Sequence, residues 1–276
     1  MTTNSLLRSD PRATPLVAVR SVAFNLLFYL TLVVLMIIGL PMMLGGRRGI
    51  FALASVWRAA SVWLLELICG LKVEYRGVEN IPQGGILIAA KHQSFLETFA
   101  LLKYAPDFAI ILKRQLTYVP LFGLYLVVSK QIAIDRARGR QALQQIAAAA
   151  RPVLAAGRQI FIYPEGTRRP PGAPPRYKQG VAAIYAETGA PCLPVAVNTG
   201  LFWRRRVFMR RPGIAVIEYL PPIAPGLDRE RFAALLQDEI EAACARLNSE
   251  AVARDPSLAA VVAEGASSDR ASAGTS

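Results

Sequence analysis

The sequence predicts an α/β fold, a mixed sheet flanked by helices, preceded by an N-terminal pair of membrane-anchoring helices. Three observations carry this expectation. No charged residue lies between Arg20 and Arg47, and Val22 to Leu44 is almost wholly apolar. From Val73 onward, short apolar runs alternate with helical patterns, the signature of an α/β sheet. The polar residues best suited to chemistry follow those runs, and strand ends in such a sheet converge on one crevice.

Residues 1–20 are polar and carry Arg8, Arg12 and Arg20. The apolar run behind them is long enough to span or deeply enter a bilayer, since about 20 helical residues cover roughly 30 Å of hydrocarbon. Ala52-Leu53-Ala54 has the look of a signal-peptide cleavage site. However, Arg47 and Arg48 separate it from a run longer than the usual ~7–15 residues, which favours an anchor. A second segment, Ile50 to Leu71, carries Arg58 and Glu66 with Trp57 and Trp63, a mix suited to an interfacial or partly inserted helix. Pro41 and Gly45-Gly46 punctuate the join.

Strands are expected at Leu71 to Tyr75, Gly85 to Ala90, Phe108 to Leu112, Gln131 to Ile134, Gln159 to Tyr163, Cys192 to Asn198 and Ile214 to Leu220. Between them, helices are expected after Ser94 as far as about Tyr104, from Pro120, over the alanine-rich 138–156, and over Val181 to Thr188. Gly157 is a suitable stop, and Pro152 interrupts the helix before it. Arg229 to Leu247 reads as a charged helix with i,i+4 support. From about Asp255 the chain is rich in Ala, Ser and Gly, which predicts a disordered tail. The expected organisation is an anchor over 1–72, an α/β domain over 73–250 and the tail over 251–276.

Cys69, Cys192 and Cys244 are far apart and odd in number, which argues against a disulfide framework. With one histidine in 276 residues, no metal site is expected. A net charge of +13 calls for an anionic partner, and a hydrophobic fraction of 53% favours membrane lipid over nucleic acid. Arg204 to Arg206, Arg210 and Arg211 are expected to meet anionic headgroups.

That histidine, His92, stands where an apolar run gives way to the helix opening at Phe95. Two roles are open to Glu97. It can close an S-x-x-E capping box with Ser94, or fix the tautomer of His92 so that the other ring nitrogen serves as a base. One carboxylate can do both. Lys113, Arg136 and Glu165-Gly166-Thr167-Arg168 also follow expected strands, which would gather a base, a carboxylate and three cations in one crevice. Backbone N–H groups at Gly-Thr and the fork of Arg168 suit a phosphate. Together these groups suit proton abstraction from an alcohol on a phosphate-bearing molecule.

Four blocks then line up. They are His92-Gln93-Ser94-Phe95-Leu96-Glu97, Ile132-Ala133-Ile134-Asp135-Arg136, Phe161-Ile162-Tyr163-Pro164-Glu165-Gly166-Thr167-Arg168 and Leu193-Pro194-Val195-Ala196-Val197. In this order they resemble the glycerolipid acyltransferase family, most nearly its bacterial 1-acyl-sn-glycerol-3-phosphate acyltransferases. The resemblance covers about residues 75–220. It implies direct transfer of an acyl chain from acyl-CoA or acyl carrier protein to a glycerol hydroxyl of lysophosphatidic acid, with no cofactor. It further implies His92 as base, Glu97 as its orienting acid, and Glu165, Gly166, Thr167 and Arg168 as acceptor pocket. Arg136 and Lys113 would add positive charge, and Pro194 would shape the site near the donor. The implied setting is the inner membrane, with the catalytic domain facing the cytoplasm. Two positions depart from the family pattern: Glu97, where aspartate is usual, and Lys130, where a small residue is common. Other acceptors compatible with the pattern are glycerol 3-phosphate and a lyso-ornithine lipid. A non-catalytic, basic membrane-binding protein is the rival outside enzymes.

Overall fold

The computed structural model describes residues 14–135 and 140–267. Helix α1 (Pro15–Ile38) starts where Thr14 Oγ1 accepts the Val17 N–H at 3.3 Å, with Pro15 in the first turn, where its missing N–H does no harm. A 3₁₀ stretch, Leu40–Gly45, ends the apolar helix earlier than its composition suggests and turns the chain into α2 (Gly46–Cys69). By length and composition, α1 and the continuous helical stretch Leu40–Cys69 that ends in α2 are each long and apolar enough to cross a membrane. Leu26, Tyr29, Leu30, Val33 and Ile37 are exposed along α1. Its other face is core: Phe24 and Phe28 are buried, with Phe28 packing on Phe95, Phe99 and Trp203.

Seven strands follow: β1 (Leu71–Arg76), β2 (Leu87–Ala90), β3 (Phe108–Lys113), β4 (Ile132–Ile134), β5 (Gln159–Ile162), β6 (Cys192–Val197) and β7 (Gly213–Tyr219). They form one sheet in the order β1-β7-β6-β2-β5-β3-β4. Every neighbouring pair is parallel except β6 with β7, so the sheet is mixed, as expected. The helices are α3 (Glu97–Ala100, continued as 3₁₀ to Tyr104), α4 (Phe122–Val128), α5 (Arg140–Ala155), α6 (Gly180–Thr188), α7 (Arg229–Arg254) and α8 (Ala259–Ser267).

Side-chain alternation along the strands separates two cores. Ile88, Ala90, Phe161, Val195 and Ile217 face α1 and α2. Leu87, Ala89, Ile160, Ile162 and Ala196 face α5, α6 and α7. The central strands β2 and β5 are buried along their whole length, which is why they read as unbroken apolar runs.

Two expectations are corrected here. Residues 251–267 are ordered: α7 continues to Arg254, a 3₁₀ turn covers Pro256–Leu258, α8 follows, and Leu258 and Val261 are buried. Composition misled because α8 is held by a close tertiary approach. A Cβ on Gly265 would lie 1.8 Å from the Pro171 carbonyl oxygen. Residues 268–276 lie outside the described residues. Arg210 and Arg211 are buried, so neither is a headgroup ligand. Arg210 packs 4.0 Å over the Trp203 ring and donates to Asn25 Oδ1 at 2.7 Å, while Arg204 pairs with Glu264 at 2.6 Å.

Candidate active site

At the C-terminal end of β2 the chain leaves the sheet as Lys91-His92-Gln93-Ser94. By alternation, His92 falls on the α1/α2 side and Lys91 on the α7 side. His92 Nδ1 lies 2.8 Å from Glu97 Oε1. The same oxygen accepts the backbone N–H groups of Gln93 at 2.7 Å and Ser94 at 2.6 Å. Oε2 accepts the Thr199 hydroxyl at 2.7 Å. The Glu97 side chain is fully buried, and four donors stand around its carboxylate. Glu97 therefore braces the turn and the ring together, and the extra methylene relative to aspartate is taken up within this turn.

A carboxylate can only accept, so the Nδ1 facing it is the protonated one and Nε2 keeps its lone pair. Nε2 has no hydrogen-bond partner among the described residues, and the side chain keeps 14% of its surface exposed. The Tyr163 ring stacks on the imidazole at 4.1 Å and 21°, fixing its plane. Desolvation first, then the Glu97 charge, pushes the Tyr163 hydroxyl well above the ordinary tyrosine range, so it stays neutral.

The segment after β5 lies alongside. Gly166, at φ 65°, makes the left-handed turn that a side chain would oppose, and its N–H donates to the Tyr163 carbonyl at 2.8 Å. The Arg169 N–H donates to the His92 carbonyl at 2.8 Å and ties this loop to the histidine. Arg168 is half-buried and Thr167 exposed. Glu165 turns inward. Its Oε1 meets Lys91 Nζ at 3.2 Å, and Lys91 also meets Glu241 Oε1 at 2.6 Å. Burial raises the Glu165 carboxyl, with Lys91 opposing part of the rise. The Glu165 carboxylate thus joins β2, its own loop and α7, rather than facing open solvent.

Lys113 is exposed at the end of β3. Pro194 is buried in β6 opposite Ala89, where its missing N–H falls between the last β7 pair, Val195 with Tyr219, and the isolated bridge of Cys192 with Ile223. Arg136 lies outside the described residues. No group of three or more metal-ligating side chains occurs among the described residues. Sequence reasoning missed Lys91 and Thr199. A lysine continuing an apolar strand was a signal that it would need buried carboxylates, whereas nothing in the sequence marks Thr199 as a partner of Glu97.

A family model described as Acyltransferase matches residues 72–198. A 1-acyl-sn-glycerol-3-phosphate acyltransferase of Pseudomonas aeruginosa is 37% identical over 186 residues, 67% of this chain and 72% of that protein. The chain belongs to the glycerolipid acyltransferase family. This acyltransferase is also 29% identical over 164 residues to a protein of the same name from Limnanthes alba, covering 59% of this chain and 57% of the plant protein. The crystal structure of the 1-acyl-sn-glycerophosphate (LPA) acyltransferase from Thermotoga maritima shares its fold, with a TM-score of 0.69 and 22% identity over 84% of this chain and 97% of that one. The enzyme is an O-acyltransferase.

Proposed function

We propose that the enzyme transfers an acyl chain from acyl-CoA or acyl carrier protein to the sn-2 hydroxyl of 1-acyl-sn-glycerol 3-phosphate, yielding phosphatidic acid. The observation that carries this reading is the His92–Glu97 pair with its free Nε2, set beside the Arg168 loop. The names of the relatives supply the acceptor.

A glycerol hydroxyl is a weak nucleophile until a base takes its proton during attack. His92 Nε2 accepts that proton as the hydroxyl oxygen bonds to the thioester carbonyl carbon. Glu97 stabilises the resulting imidazolium across 2.8 Å. Collapse of the tetrahedral adduct breaks the carbon–sulfur bond, and the departing thiolate takes the proton from Nε2, which restores the neutral ring. No covalent enzyme intermediate is needed, because the thioester already carries a good leaving group. Arg168 would hold the acceptor phosphate so that the hydroxyl stands at His92, and orientation of this kind can supply several kcal/mol. The two long apolar helices support catalysis at a membrane, placed by this reading at the inner membrane with the site on the cytoplasmic side.

The test is acyl transfer by purified membranes to a panel of lysolipids and glycerol 3-phosphate, with acyl-CoA and acyl carrier protein donors. His92→Ala should abolish transfer while the protein stays in the membrane fraction. Normal turnover by that variant would refute the assignment, since the chain has no second histidine.

A further inference from the structure

The loop from Thr199 to Pro212 carries five arginines, and the structure sorts them. Arg204 is taken by Glu264, Arg210 is packed on Trp203 and bonded to Asn25, and Arg211 is buried. Arg205 and Arg206 are exposed, and neither pairs with a carboxylate among the described residues. Arg205 Nη1 donates to the carbonyl of Arg168 at 3.2 Å. Arg168 adjoins Arg169, whose N–H is bonded to the His92 carbonyl. The Arg205 guanidinium is therefore seated on the backbone of the residue expected to grip the acceptor phosphate. Arg206 adopts φ 62°, a left-handed conformation that a side-chain-bearing residue rarely takes. Two anchors hold this turn in place. At one end Thr199 bonds Glu97, and at the other the Asn25 amide donates to the Phe208 carbonyl at 3.1 Å.

Gathering like charges at one spot is unfavourable until an anion arrives between them. Partial desolvation first, and then the nearby Arg206, Arg168 and Arg169, pull the Arg205 guanidinium below its ordinary value, so three other arginines share the space around it. A phosphate monoester offers three acceptor oxygens, enough for two guanidinium forks, whereas a lone Arg168 would leave one side in water. On this basis we propose that Arg205, supported by Arg206, is a second ligand for the acceptor phosphate, and that the loop after β6 sets the preference for a phosphate-bearing lysolipid. The proposal rests on the acyltransferase reading above and adds residues outside the four blocks.

The experiment uses the full-length enzyme in membranes, with Arg205→Gln, Arg205→Lys and the double change Arg205→Gln/Arg206→Gln. Arg231→Gln serves as a control for a distant, exposed charge. Steady-state constants are measured for 1-acyl-sn-glycerol 3-phosphate, 1-monoacylglycerol and acyl-CoA. Loss of one charge-assisted bond should raise the acceptor KM about tenfold in Arg205→Gln and shrink the preference for lysophosphatidate over monoacylglycerol by a similar factor. Arg205→Lys should fall between, because lysine keeps the charge but lacks the fork. The proposal is overturned if the acceptor KM stays at the wild-type value. It is equally overturned if the KM for acyl-CoA rises instead, or if Arg231→Gln causes the same loss. Wild-type enzyme that acylates no lysophospholipid would sink the functional reading itself. Robust transfer that ignores residue 205 would sink only this assignment.

Discussion

Replacing Glu97 with glutamine separates the two roles of this side chain. An amide oxygen in the place of Oε1 can still accept from Gln93, Ser94 and His92, and its NH₂ would face Thr199 Oγ1, which can turn from donor to acceptor. Shape and bonding survive, and the negative charge is lost. Bonds that were charge-assisted become neutral, while an ion no longer has to be buried. The net effect on folding should be about 1–2 kcal/mol, or roughly 3–6 °C in Tm for a chain of this size. The effect on turnover should be larger. In the proposed mechanism, the imidazolium formed as the hydroxyl attacks would lose a carboxylate about 4 Å from the centre of its charge, worth about 4 kcal/mol at an effective dielectric of 20. Because the hydrogen bond itself persists, kcat should fall about 10²- to 10³-fold. Glu97→Asp keeps the charge but shortens the side chain by about 1.5 Å, and its activity should lie between wild type and Glu97→Gln. Initial rates of acyl transfer together with melting curves give both readouts. Equal rates for the aspartate and glutamine variants, or wild-type kcat in the latter, would show that Glu97 only braces the turn.

Lys91→Met leaves Glu165 and Glu241 facing each other without their shared cation, and should destabilise by about 3 kcal/mol near neutral pH. The Glu165 carboxyl is already raised in the folded protein, so its contribution to stability is fullest below the unfolded pKa and is lost as pH rises through the folded one. Removing Lys91 raises it further, so the Tm gap to wild type should narrow as pH is lowered from 8 to 5, and a constant gap would refute the ion-pair account. Gly265→Ala drives a methyl into the Pro171 carbonyl and should cost about 1–3 kcal/mol by chemical denaturation, whereas no change would mean that α8 does not bear on the loop. Arg168→Ala should raise the KM for a phosphate-bearing acceptor about tenfold, and unchanged constants would remove it from the pocket.

The sheet was legible because each strand obeys one simple rule. Parallel strands covered on both faces must be apolar throughout, and Ile86 to Ala90 or Cys192 to Val197 admit few other structures. His92 and Glu97 were legible as a pair because both roles open to Glu97 are local and share one turn. Lys91 and Glu241 were not, since their partnership spans 150 residues and depends on where α7 crosses the sheet. Thr199 was hidden for the same reason, 102 residues from Glu97. The arginines of 204–211 show the limit of composition. A run of like charge looks uniform, yet a ring at Trp203, an amide at Asn25 and a carboxylate at Glu264 divide it into buried, paired and open members. The small-residue tail misled in the opposite direction, because glycine at 265 is a docking requirement rather than a sign of looseness.

The aromatic contacts of α1 bear on how this protein can be handled. Excising residues 15–45 to obtain a water-soluble fragment would strip Phe24 and Phe28, both fully sequestered, from the rings of Phe95, Phe99 and Trp203. It would also delete Ser21, which receives the Arg210 amide at 2.8 Å, and Asn25. The hollow left behind would open beneath the very helix turn that Glu97 begins. The apolar N-terminal helix and the turn that holds His92 are packed as one folded body, so a usable preparation should keep both, with a detergent or nanodisc to cover the exposed apolar face of α1.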